Sequence, residues 1–122
     1  MDLQWQRQIE LWLQLMGFRG QASALHLVLS QTNENLYLEQ IQGRAKISLC
    51  RPLYRQDRQK TLMHLLTLLQ PDAGAGIPLQ AWLSDTSIWL SAMAPPDSGA
   101  EQWAELVRRQ RLILDRAIYR VS

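Results

Sequence analysis

Apolar residues recur at helical spacing in the first segment of the chain. Trp5, Ile9, Trp12, Leu13 and Met16 fall on one stripe, predicting an amphipathic helix over 2–17. Gln4, Gln6, Arg7, Gln8, Glu10 and Gln14 fill most other positions, and Gly17 is placed to cap the C-terminus. The period then changes to two. Leu25, Leu27 and Leu29 alternate with His26 and Val28 over 24–30, predicting a strand. Thr32-Asn33-Glu34-Asn35 supplies a turn, after which Leu36 and Leu38 share one strand face, with Tyr37 and Glu39 on the other. Gln42-Gly43 makes a second turn, and Ala45, Ile47 and Leu49 mark a third strand that ends at Arg51-Pro52, since proline cannot donate into a ladder.

Helical spacing returns over about 57–70, with Leu62, Leu65, Leu66 and Leu69 on one stripe and Met63, Thr67 and Leu68 widening it. A helix apolar nearly all round is expected to be covered on both sides, here by a second subunit. Pro71 and Asp72-Ala73-Gly74-Ala75-Gly76 then form a loop. Residues 78–83 and 87–93 read as a hairpin turning at Ser84-Asp85-Thr86, with Trp82 and Trp89 on its two strands. Ser98-Gly99-Ala100-Glu101 has capping-box spacing, with Ser98 and Glu101 as the reciprocal pair. The last helix carries Trp103, Leu106, Gln110, Ile113 and Ala117 on one face, flanked by Val107 and Leu114. The predicted order is α-β-β-β-α-β-β-α, an α+β chain with an antiparallel sheet.

A length of 122 residues predicts a single domain over 1–122. A chain this short buries only about two thirds of its extended surface, so a partner subunit is expected to complete its apolar faces. Its 47% hydrophobic content excludes a disordered protein, and no apolar run approaches the roughly 18 residues of a membrane span. Met1-Asp2-Leu3-Gln4 lacks the basic start of a signal peptide, and Cys50 has no cysteine to pair with. Both features predict a cytoplasmic protein. Five tryptophans suit both cores and interfaces.

Catalytic chemistry finds little to rest on. The only histidines, His26 and His64, are predicted on a strand and a helix, and Cys50 reads as a small buried hydrophobe. The carboxylates are scattered, mostly at turns and helix starts. The glycine-containing segment 74–76 lacks the Lys-Ser/Thr of a phosphate loop. We therefore expect no enzyme activity, no metal and no cofactor. Cations cluster in sequence: Arg44, Lys46, Arg51, Arg55, Arg58 and Lys60, then Arg108, Arg109, Arg111, Arg116 and Arg120. Such clusters keep open a nucleic-acid-binding regulator, although stacking aromatics and a recognition-helix signature are missing from them. A solvated face or an acidic protein partner is the plainer reading. The surplus of apolar strand positions points to binding of an extended peptide.

Three stretches carry a family resemblance: 36–40 (Leu-Tyr-Leu-Glu-Gln) continuing to 49–53 (Leu-Cys-Arg-Pro-Leu), then 66–68 (Leu-Thr-Leu), then 77–83 (Ile-Pro-Leu-Gln-Ala-Trp-Leu). With the element order, they resemble the class I chaperones of bacterial type III secretion, and within them the SycN-type chaperones of the gatekeeper protein. The resemblance implies a dimeric fold that wraps the N-terminal region of a secreted gatekeeper or effector in extended form and keeps it secretion-competent. It implies pairing with a second small chaperone, as a hetero- or homodimer, in the bacterial cytoplasm. The first helix and the meander would then face cargo, with Trp5, Trp12, Leu25, Leu27, Leu29, Leu36 and Leu38 as candidate contacts. The second helix and second hairpin would face the other subunit, through Leu65, Leu68, Trp82 and Trp89. Class I chaperones are typically acidic, whereas this chain has a net charge of +2, which favours an acidic co-chaperone. A structural subunit of the export apparatus is the further alternative.

Overall fold

The computed structural model describes residues 3–18, 26–31, 33–53, 55–70 and 72–119, without the side chains of His26 and Arg55. Its elements are α1 (Leu3–Leu15), β1 (His26–Gln31), β2 (Glu34–Ile41), β3 (Arg44–Pro52), α2 (Arg58–Leu68), β4 (Leu79–Leu83), β5 (Ser87–Met93) and α3 (Ala100–Tyr119). The order is the predicted one, with a short 3-10 turn over Arg55–Asp57 leading into α2. No helix among the described residues is long and apolar enough to cross a membrane.

Local chemistry sets the ends of these elements. After α1, Phe18 N–H donates to Leu13 O and Gly17 N–H to Gln14 O, with Gly17 at φ 81°. These paired bonds satisfy the last carbonyls of the helix and require the left-handed backbone that glycine adopts freely. The β2–β3 connection is a two-residue turn in which Gln42 and Gly43 both have positive φ, the geometry whose twist matches flanking strands.

The start of α3 differs from the predicted capping box by one residue. Gly99 N–H donates to Gln102 Oε1 at 3.0 Å, so Gly99 and Gln102 hold the cap and its third-position partner. Ser98 Oγ instead accepts from Trp103 Nε1 at 3.0 Å, and Gln8 Oε1 on α1 accepts from Ala100 N–H at 2.8 Å. The long-range tie from α1 supplies an acceptor for an N–H that a local cap would otherwise have to satisfy.

The five strands form one antiparallel sheet in the order β1-β2-β3-β5-β4. Strand alternation sends Leu36, Leu38, Ala45, Ile47, Leu49, Ile88 and Leu90 to one buried face, as the period-two pattern predicts. The long helix α3 packs on β3 and β5 and is flanked by α1 and α2. Every position predicted for its inner stripe, from Trp103 to Ala117, is buried. Gln110 lies fully inside, its Nε2 donating to Ile47 O and Leu90 O at 3.1 Å each, which ties α3 to both central strands.

Candidate protein-docking surfaces

The helices cover one face of the sheet. On the other face, Trp82 and Trp89 stack with centroids 5.6 Å apart and planes 7° apart, and Tyr37 meets Trp89 at 5.1 Å. Cross-strand register produces this row, since Trp82 pairs with Trp89 and Trp89 with Cys50 beside Tyr37. Trp89 Nε1 donates to Ser84 Oγ at 3.0 Å, which fixes its ring while leaving the apolar surface outward. Val28 on β1 extends the row and is 52% exposed. Cys50 lies beneath it, buried, and burial pushes its thiol pKa up.

Helix α2 presents a second apolar surface. Its inner side buries Thr61 and Leu65, while Met63 and Leu66 are 61% and 46% exposed. Cover on both sides, expected of a helix apolar nearly all round, is absent within this chain, where one side of α2 is buried and the other carries Gln59, Lys60 and Thr67 beside Met63 and Leu66. A third surface runs along α1, where Leu3, Leu11 and Leu15 stand exposed at four- and eight-residue spacings, opposite the buried stripe. Leucines at 3, 11 and 15 share this face with Arg7 and are legible in the sequence as a second stripe; reading only the tryptophan-bearing stripe overlooks it.

The structure redistributes the candidate contacts. Trp5, Trp12, Leu36 and Leu38 are in the core, no more than 5% exposed, because α1 and the sheet bury their apolar faces against α3 and each other. They offer no surface to cargo in this fold. Leu27 and Leu29 are half-buried against the same core, and Leu25 lies outside the described residues. Of the candidate subunit contacts, Leu65 is a core residue and Leu68 is half-buried, whereas Trp82 is exposed and Trp89 half-exposed beside it.

The cation cluster also changes meaning. Arg51 reaches Glu34 at 3.1 Å and also bonds Asp115, while Arg111 reaches the other Glu34 oxygen at 2.9 Å. Glu34, only 8% exposed, thus bridges β3 to α3. Arg44 Nε donates to Ala94 O, and an Arg58 N–H donates to Ser84 O. Arg44, Arg51, Arg58 and Arg111 are thus each spent on an internal partner, which removes four cations of the sequence clusters from a continuous phosphate-binding surface. Among the described residues, no three His, Cys, Asp or Glu side chains gather as a metal site.

Comparison with known proteins places this geometry. The chain resembles the secretion system apparatus protein SsaM of Salmonella typhimurium, with 31% identity over 115 residues, 93% of this chain and 93% of that protein. Its fold is similar to a chain of the heterodimeric ExoU–SpcU complex from the Pseudomonas aeruginosa type III secretion system: TM-score 0.63, 21% identity, 91% of this chain and 95% of that chain covered. It is also similar to YbjN from E. coli, with a TM-score of 0.58, 13% identity, and 89% and 84% covered. The fold expected of a secretion chaperone, three helices on a five-stranded antiparallel sheet, is therefore the one present. The SsaM family model matches residues 2–117, and the chain belongs to the SsaM family.

Proposed function

We propose that this chain is one subunit of a type III secretion chaperone. It pairs with a second small chaperone and holds the N-terminal region of a secreted gatekeeper or effector in extended form. The observation that carries this reading is exposed apolar surface on α1, α2 and the open sheet face of a domain whose core is already complete. Such surfaces are costly in water unless a partner covers them. Membership of a family that includes a secretion system apparatus protein supports the same setting.

The role is one of binding without catalysis or cofactor, in the bacterial cytoplasm. The other subunit meets Met63 and Leu66 of α2 and, round the β4 edge, the Trp82–Trp89 stack on the opposite sheet face. The α1 ridge of Leu3, Leu11 and Leu15, with β1 at the sheet edge, receives cargo. An edge strand offers backbone groups to an added strand, and neighbouring apolar side chains select what it carries. A partner of SycN-type pairing would be acidic, matching the +2 charge of this chain.

Co-expression with a second small chaperone and the N-terminal segment of a secreted protein tests the proposal. We expect a complex that survives size-exclusion chromatography. A well-folded monomer that captures neither contradicts it. A second reading, a resident subunit of the export apparatus, is favoured by the name of the Salmonella relative. It predicts that the chain co-fractionates stably with the assembled machine, whereas a chaperone releases its cargo there.

A further inference from the structure

The groove between the end of α2, the turn at 72–73 and α3 joins an apolar floor to a basic rim. Leu68 and Ile113 line it beside Leu112, which is 44% exposed, in a recess of about 230 Å³. Arg108, Arg109 and Arg116 surround that floor. Arg108 and Arg109 share a single carboxylate, Glu105, at 2.5 and 3.2 Å. Among the described residues the Arg116 side chain has no ion pair or hydrogen bond. Among the described residues Asp72 is the only carboxylate lining the groove, so three guanidiniums and one acid surround an exposed leucine, with Glu105 reached by Arg108 and Arg109 from outside that lining. By contrast Arg111, on the other side of α3, is held by Glu34.

We infer that this groove docks an acidic amphipathic segment of a partner protein, seating an aliphatic side chain on Leu112 and Leu68 with its carboxylates toward Arg109 and Arg116. Charge complementarity chooses the occupant. An aliphatic floor offers no ring for base stacking, and Glu105 and Asp72 repel phosphates, so nucleic acid fits poorly. The site is separate from the α1 ridge and from the Trp82–Trp89 stack, and it does not depend on the chaperone reading.

The test is fluorescence anisotropy with a labelled helical peptide of alternating Leu and Glu turns, its Lys-for-Glu counterpart, and a single-stranded oligonucleotide. We expect saturable binding of the acidic peptide alone, weakened about tenfold or more by Arg116→Glu and by Leu112→Ser. Both residues are exposed, so thermal unfolding stays unchanged. The double variant Arg109→Glu/Arg116→Glu should gain affinity for the lysine peptide, a result that misfolding cannot produce. The inference is overturned if the acidic peptide does not saturate, if the oligonucleotide binds in its place, or if Arg7→Glu on α1 weakens binding as much as Arg116→Glu.

Discussion

Replacing Gln110 by glutamate keeps the side chain's shape and inverts its hydrogen bonding at the centre of the fold. Ala94 N–H bonds Ala45 O, and Leu53 N–H bonds Thr86 O, at the two ends of the β3–β5 pairing. Hydrogen-bonded pairs alternate along an antiparallel ladder. Ile47 with Ala92, and Leu49 with Leu90, are therefore exchanging pairs. The Ile47 and Leu90 carbonyls already accept a ladder bond, and Gln110 supplies a second donor to each. Gln110→Leu loses two neutral bonds worth about 1 kcal/mol each. It also removes Oε1, buried without a partner, which recovers about 1–3 kcal/mol. These nearly cancel, so the leucine variant should lie within about 1 kcal/mol of the parent.

Gln110→Glu instead aims a carboxylate at two carbonyl oxygens in a site with no exposure. The loss is about 3–5 kcal/mol near neutral pH, from an uncompensated buried charge or the work of protonating it. Burial raises the folded pKa of this introduced acid above its unfolded value. Between those two values the native state binds more protons, so stability falls as pH rises through the window and levels off above it. The neutral acid donates one bond, so the deficit shrinks on acidification. Urea unfolding followed by tryptophan fluorescence, at mildly acidic and mildly alkaline pH, measures both effects. The reasoning fails if the glutamate variant stays within about 1 kcal/mol of the parent at alkaline pH, or if leucine is as damaging as glutamate.

Other consequences follow from the same geometry. Glu34→Ala removes the acid shared by Arg51 and Arg111 and leaves Arg51, whose side chain is 12% exposed, with Asp115 alone, so it should cost about 1.5–3 kcal/mol in urea unfolding; a loss below about 0.5 kcal/mol would mean the network is only a surface pair. Met63→Asp with Leu66→Asp changes exposed positions, so it should abolish partner capture while leaving the melting temperature of the lone chain unchanged; retained capture would remove α2 from the subunit face. Cys50, buried and with its thiol pKa raised by burial, should react slowly with a thiol reagent at neutral pH and fully in denaturant. Rapid native reaction would place it at an opening the structure does not have.

Periodicity made the elements legible because burial on one side imposes it. Strand alternation at Ile47 and Leu49, and the 3.6-residue stripe from Trp103 to Ala117, could arise only from elements packed on one side. Periodicity identifies a buried face without saying whether the same chain or another buries it. Trp5 and Trp12 therefore read as interface candidates although they belong to the core. The ion network was hidden for a different reason. Glu34 meets Arg51 across 17 positions and Arg111 across 77, so only the assembled sheet and α3 bring them together. The same assembly moved the α3 cap by one residue, because Gln8 from α1 supplies an acceptor that local spacing does not contain.

Backbone hydrogen exchange read by mass spectrometry, on the chain alone and with a second chaperone and its cargo segment, tests the docking account most directly. The account predicts slowed exchange in α2 and β4 when the chaperone partner binds, and in β1 and α1 when cargo is added. A complex that forms while exchange in all four elements stays unchanged would contradict it.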